Sequence, residues 1–246
     1  AHLQRNPMAS SAKSGDINAM YKESDMTTKN VAVILSGCGV YDGAEIHESV
    51  ITLLRLDQRG AKVQCFAPDI AQHHVINHLT GNEMPESRNV LVESARIARG
   101  EIKDIREANV DDFDALIVPG GFGAAKNLSD FAARGAECTV QPDVLALAEA
   151  FAQACKPVGL MCISPAIAAK IYGPGVTCTI GKDPETAAAV GKMGATHKEC
   201  EVTDIVEDKA RKLVSTPAYM LAQSISEAAS GINKMVDRVL ELTHEA

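Results

Sequence analysis

Pro157-Val-Gly-Leu-Met-Cys162-Ile-Ser-Pro165-Ala-Ile-Ala-Ala-Lys-Ile171 passes from one structural pattern to another within a few residues. The apolar run up to Met161 has the character of a buried strand, and Cys162 stands where it stops. Ser164 and Pro165 then open a helical pattern, because proline is best tolerated in a helix's first turn. A sharp strand-to-helix turn holds a side chain at the edge of a sheet and aims it at free backbone N–H groups. Those groups and the helix dipole predict a Cys162 thiol of lowered pKa, shifted toward the nucleophilic thiolate. The same context also suits a buried cysteine that is only a small hydrophobe.

The chain on either side repeats the alternation. Val31–Leu35, Lys62–Ala67, Ala115–Val118 and Lys212–Ser215 are apolar runs that predict strands. Ala44–Arg59, Asn89–Arg99, Asp143–Ala154, Thr186–Met193 and Gln223–Leu242 carry helical periodicity, and Gly60 closes the first of them. The segment 70–112 is otherwise irregular. Strands alternating with helices predict an α/β fold, a mostly parallel sheet sandwiched by helices. Residues 1–29 are polar and aperiodic, a peripheral N-terminal arm, and 30–246 form one domain. In such sheets the ligand site lies beyond the strands' C-terminal ends. The turns 36–43, 119–123 and 162–165 all fall there.

Composition narrows the partners. The 246 residues carry a formal charge of −8, which argues against nucleic acid. No run approaches the roughly 18 apolar residues of a membrane helix. Seven widely spaced cysteines without a C-x-x-C pair fit free thiols in a reducing compartment, not a disulfide framework or a zinc site. Trp is absent and aromatics are 4%, so the core is aliphatic.

A thiol nucleophile needs a proton partner. Glu45 and Glu48 lie one turn apart at the head of the first long helix. Glu48 is the better candidate because it lies deeper, with Val50, Ile51 and Leu54 flanking it on the packed side. A carboxyl buried near a thiol has a raised pKa and shuttles protons. Glu45 in the first turn also suits the dipole alone. Pro119-Gly-Gly-Phe-Gly123 has the form of an oxyanion-binding turn, since glycines let backbone N–H groups approach a developing charge. Gly37-Cys-Gly39 lacks the third glycine and the acidic partner of a dinucleotide fingerprint. His73, His74 and His78 have no acid or cysteine at metal-ligand spacing, which predicts no metal site. His47 projects to another side of the helix from Glu48 and is a weaker base. His197-x-Glu199 sits at a strand's start, away from a loop over the site.

Several stretches together are similar to one family. Ser36-Gly-Cys-Gly-Val-Tyr-Asp-Gly-Ala-Glu-Ile-His-Glu48, Pro119-Gly-Gly-Phe-Gly-Ala-Ala-Lys-Asn127, Met161-Cys-Ile-Ser-Pro165 and Thr216-Pro-Ala-Tyr-Met220 resemble the ElbB proteins. These are the enhancing-lycopene-biosynthesis, glyoxalase-like branch of the PfpI superfamily, with a class I glutamine amidotransferase-like, flavodoxin-like fold. The resemblance spans residues 30–243. It implies that Cys162 is the nucleophile at a strand-to-helix elbow and Glu48 its carboxyl partner. Gly120, Gly121 and the Ile163 N–H become the oxyanion and substrate contacts. It further implies a cofactor-free glyoxalase taking glyoxal or methylglyoxal to the 2-hydroxy acid, with an apparent deglycase activity attached to the same branch. It also implies a homodimer, cytoplasmic in bacterial relatives and mitochondrial in animal ones. Protease-like members carry His where this chain has Ile163, and amidotransferases carry Gly where it has Ser164. Peptidase and glutaminase chemistry therefore lose their usual support. A redox-sensing or chaperone-like protein with an oxidisable Cys162 is the alternative.

Overall fold

The computed structural model describes residues 28–245, so the arm assigned to 1–29 lies outside the described residues except for its last two positions. The chain runs β1 (Asn30–Ile34), α1 (Ile46–Gln58), β2 (Lys62–Ala67), β3 (Val75–Ile76), β4 (Glu83–Met84), α2 (Val90–Ile97) and β5 (Ile102–Asp104). It continues through β6 (Ala115–Val118), α3 (Phe122–Lys126), α4 (Phe131–Arg134), α5 (Pro142–Gln153), β7 (Val158–Met161) and α6 (Ala168–Tyr172). It ends with β8 (Thr177–Cys178), α7 (Pro184–Lys192), β9 (Thr196–His197), β10 (Val206–Asp208), β11 (Leu213–Thr216) and α8 (Ile225–Leu242).

Seven strands form one sheet in the order β10-β11-β7-β6-β1-β2-β5, parallel except for β10. β1 alternates between two cores. Ala32 and Ile34 pack with α5, α6 and α7 on one face, while Val31, Val33 and Leu35 pack with α1 and α8 on the other. From β1 the chain winds outward through β2 to β5, then returns to the far side of β1 for β6, β7 and β11. The loops after β1 and β6 therefore diverge, opening the crevice where open α/β sheets bind ligands.

The helix ends follow their sequence signals. Pro142 and Pro184 open α5 and α7, and Ser224 caps α8 by accepting the Glu227 N–H. Two expectations are corrected. The helix predicted from Ser164 begins instead as a tight 3-10 turn, Ser164–Ile167, before α6 takes over. On α1 the buried residues are Glu48, Ser49, Ile51, Thr52 and Leu56, while Val50 and Leu54 are 47% and 53% exposed. Those two continue an exposed stripe begun by Ile46 and do not flank Glu48 on the packed side. Among the described residues no helix is long and apolar enough to cross a membrane.

Candidate active site

Cys162 follows β7 directly and has φ 60°, a left-handed conformation that a non-glycine residue adopts only where its surroundings impose it. Its N–H donates to Thr216 O at 3.0 Å, which ties the turn to the end of β11. The Ser164 hydroxyl donates to Pro119 O at 2.8 Å and ties it to the turn after β6. The serine that replaces the amidotransferase glycine thus fastens two of the three converging turns.

Glu48 lies beneath this turn and is fully buried. Its carboxyl accepts the Gly120 N–H on Oε1 at 2.9 Å and the Tyr219 N–H on Oε2 at 3.1 Å. The Cys162 thiol hydrogen-bonds to the same carboxyl. Burial, with the Glu45 carboxylate beside it, pushes Glu48 up to about 8, against the pull of those three hydrogen bonds. Glu45 caps α1 by accepting the Glu48 N–H at 2.7 Å, so both acids of the first turn have fixed places.

The predicted lowering of the Cys162 pKa is reversed. The thiol is only 7% exposed. Burial and the neighbouring Glu48 raise it well above a free thiol, and the N–H groups of Gly121 and Ile163 only partly oppose this. The short 3-10 turn supplies those two N–H groups but no long helix dipole. Thiol and carboxyl are buried side by side, and each holds its proton more tightly than it would in water.

The structure divides the predicted Gly-Gly cradle. Gly120 spends its N–H on Glu48, so it holds the carboxyl and is not an oxyanion donor. Gly121 and Ile163 keep theirs near the sulfur. Gly121 has φ 91°, open to glycine, and a side chain there would strike the backbone of Gly43 and Glu45. His197 Nε2 accepts the Ile180 N–H at 3.0 Å, a structural role in the small β8–β9 ladder. His78 and His74 bind Tyr41 N–H and Lys126 Nζ at 3.1 and 2.9 Å.

No protein-family model matches the chain. A human protein, glutamine amidotransferase-like class 1 domain-containing protein 3, mitochondrial, is 49% identical over 223 residues, covering 87% of this chain and 83% of its own. The chain belongs to this amidotransferase-like family. The crystal structure of an isoprenoid biosynthesis protein with an amidotransferase-like domain from Ehrlichia chaffeensis matches with a TM-score of 0.81 at 38% identity. That match covers 86% of this chain and 99% of the other, and agrees with the ElbB resemblance of the motifs. Glyoxalase III from Candida albicans shares the fold, with a TM-score of 0.55 at 14% identity over 87% of this chain and 96% of its own.

In this amidotransferase-like protein, Gly120 has no room for a side chain. A methyl group there would overlap Cys162 Cβ and stand 2.8 Å from Glu48 Oε1 and 2.9 Å from the sulfur. Gly120→Ala is expected to cost about 1–3 kcal/mol of stability, as overpacking does. It should also slow alkylation of Cys162 by iodoacetamide about tenfold or more, as the methyl crowds the sulfur. A variant that melts and alkylates like the parent would show that the pair does not depend on this close approach. Tyr219 grips Glu48 through its other carboxyl oxygen, Oε2. Nothing local signals that its N–H would meet a carboxyl 171 positions earlier.

Proposed function

We propose that this chain is a glutathione-independent glyoxalase that converts glyoxal to glycolate and methylglyoxal to lactate through Cys162. The observation that carries this reading is the buried thiol–carboxyl pair, both groups raised in pKa, beside the Gly121 and Ile163 N–H groups. As the sulfur bonds to the aldehyde carbon, Glu48 accepts the thiol proton and the carbonyl π electrons move to oxygen. Gly121 and Ile163 stabilise that oxyanion until Glu48 hands it the thiol proton, which leaves a hemithioacetal and a free carboxylate. Removal of the C1 proton and its return at C2 passes through an enediol to a 2-hydroxy thioester. C1 is oxidised by the same two electrons that reduce C2, so no cofactor is called for. Water then cleaves the C–S bond, releases the 2-hydroxy acid and restores the thiol.

A second consideration favours this over amide hydrolysis. A leaving amine needs a proton donor beside the nucleophile, and position 163 holds isoleucine. The redox-sensor alternative asks for an accessible thiol of low pKa. Cys162 is buried and its pKa is raised. The human relative is named as mitochondrial, which supports the mitochondrial alternative over the cytoplasmic one.

Release of glycolate from glyoxal, with no glutathione added, tests the reading. Turnover of about 1 s⁻¹ or more lies within the usual enzyme range. Release at the uncatalysed rate would overturn it.

A further inference from the structure

The enediol route, on which this inference rests, moves more than one proton. While Glu48 takes the proton from C1, the C2 oxygen must gain another, and the pair of Cys162 and Glu48 offers no second donor for it. Beside that carboxyl, a histidine on the same turn of α1 meets a tyrosine. His47 Nδ1 hydrogen-bonds the Tyr219 hydroxyl at 2.6 Å, their ring centroids 5.7 Å apart. The backbone N–H of the same tyrosine holds Glu48 Oε2 at 3.1 Å. Tyr219 is therefore fixed at its backbone to the carboxyl and at its hydroxyl to an exposed imidazole.

The segment that carries Tyr219 is also unusually constrained. Ala218, wholly buried, is held at φ 46°. Thr216 O just before it receives the Cys162 N–H. A left-handed alanine persists only where its surroundings over-determine it, and such positions cluster at functional sites. Tyr219 packs against the same apolar cluster as Cys162. The titratable groups facing it are Glu45, Glu48 and His47. Burial and the two carboxylates raise the phenol, which keeps its proton in place at neutral pH. With the hydrogen on Nδ1, the imidazole donates to the phenol oxygen and leaves the phenol's own proton free for a substrate.

We propose that Tyr219, positioned by His47, is the second acid–base group of this site. It gives its proton to the C2 carbonyl oxygen as the enediol forms, and His47 donates a hydrogen bond to the resulting phenolate. When the enediol collapses, Glu48 returns its proton to C2 and the phenolate takes the C1 hydroxyl proton. Both groups finish as they began.

Wild type, Tyr219→Phe and His47→Gln are compared in two assays, glycolate release from glyoxal and alkylation of Cys162 by iodoacetamide. Phenylalanine keeps the ring and the backbone N–H that holds Glu48. Tyr219→Phe is expected to lower kcat roughly a hundredfold, within the range for a general acid–base group, with KM changed less than about threefold. His47→Gln is expected to lower kcat roughly tenfold. Alkylation should stay within about twofold of wild type in both, because the thiol–carboxyl pair is untouched. A Tyr219→Phe protein with wild-type kcat would overturn the proposal. So would kcat and alkylation falling together, which would mean that the tyrosine only shapes the site. If wild type itself releases no glycolate, the glyoxalase reading fails and the relay with it. An active wild type beside an equally active Tyr219→Phe defeats the relay alone.

Discussion

A Cys162→Ala protein is expected to release no glycolate above the uncatalysed rate while keeping its fold. The sulfur is the only atom removed, and the Cys162 N–H still reaches Thr216 O at 3.0 Å. Alanine at φ 60° bears the same backbone strain as the cysteine it replaces. The small void costs about 1 kcal/mol. Turnover should nevertheless fall by roughly a thousandfold or more, since no covalent adduct forms without the nucleophile. Circular dichroism and a melting curve establish the fold, and glycolate assays establish the loss. Turnover above about a tenth of wild type in a folded Cys162→Ala protein would end the covalent scheme.

Glu48→Gln is expected to change activity and the pH dependence of stability together. Glutamine keeps the shape but cannot take the thiol proton, so kcat should fall by roughly 10²–10⁴-fold. In wild type, kcat/KM should climb with pH and level off once Glu48 has lost its proton, near 8. The stability effect follows from the folded carboxyl holding its proton until about 8, against an ordinary value of 4.5. The folded state thus binds that proton more tightly than the unfolded chain. Its contribution is complete below the ordinary value and is lost as pH rises toward 8. At the full shift the loss is roughly 4–5 kcal/mol. Urea midpoints at pH 5, 7 and 9 should fall steeply for wild type and much less for Glu48→Gln. At low pH the variant should be the weaker protein, since one of the Gly120 and Tyr219 N–H donors then faces an amide NH₂. Parallel pH slopes for the two proteins would show that Glu48 titrates as an ordinary acid.

The central strands were legible because β1, β6, β7 and β11 are buried on both faces and read as unbroken apolar runs. The edge strands were not. Ile102-Lys-Asp104 and Val206-Glu-Asp208 are three residues long, two of the three polar, and recruited by neighbours that are already in place. Cys162 and Glu48 could be named in advance, because a strand's abrupt end and a first helical turn are local features. The direction of the thiol's pKa was not local. It depends on burial by Met161, Val214 and Ala218, and on a carboxyl from the other side of the sheet's switch point. Helical periodicity announced that α1 has an apolar face, yet it offered two. The one beneath the sheet's edge carries Glu48, Ser49 and Thr52, and the exposed one carries Ile46, Val50 and Leu54. Spacing alone could not choose between them. The use of Gly120 to grip Glu48, and the meeting of His47 with Tyr219, join residues 72 and 171–172 positions apart. No window of sequence contains such pairings.

The carboxyl of Glu48 is a knot tied from three lengths of chain: the first helix, the turn after β6 and the turn after β11. Closing it requires the first and last strands of the fold to be seated at once. Partly assembled forms leave the acid in water, where it ionises like any other glutamate, and leave the thiol without its partner. Chemical competence is therefore a late event in folding. A nascent or unravelling copy of this chain would carry an ordinary cysteine, and only the finished molecule one paired with a buried carboxyl.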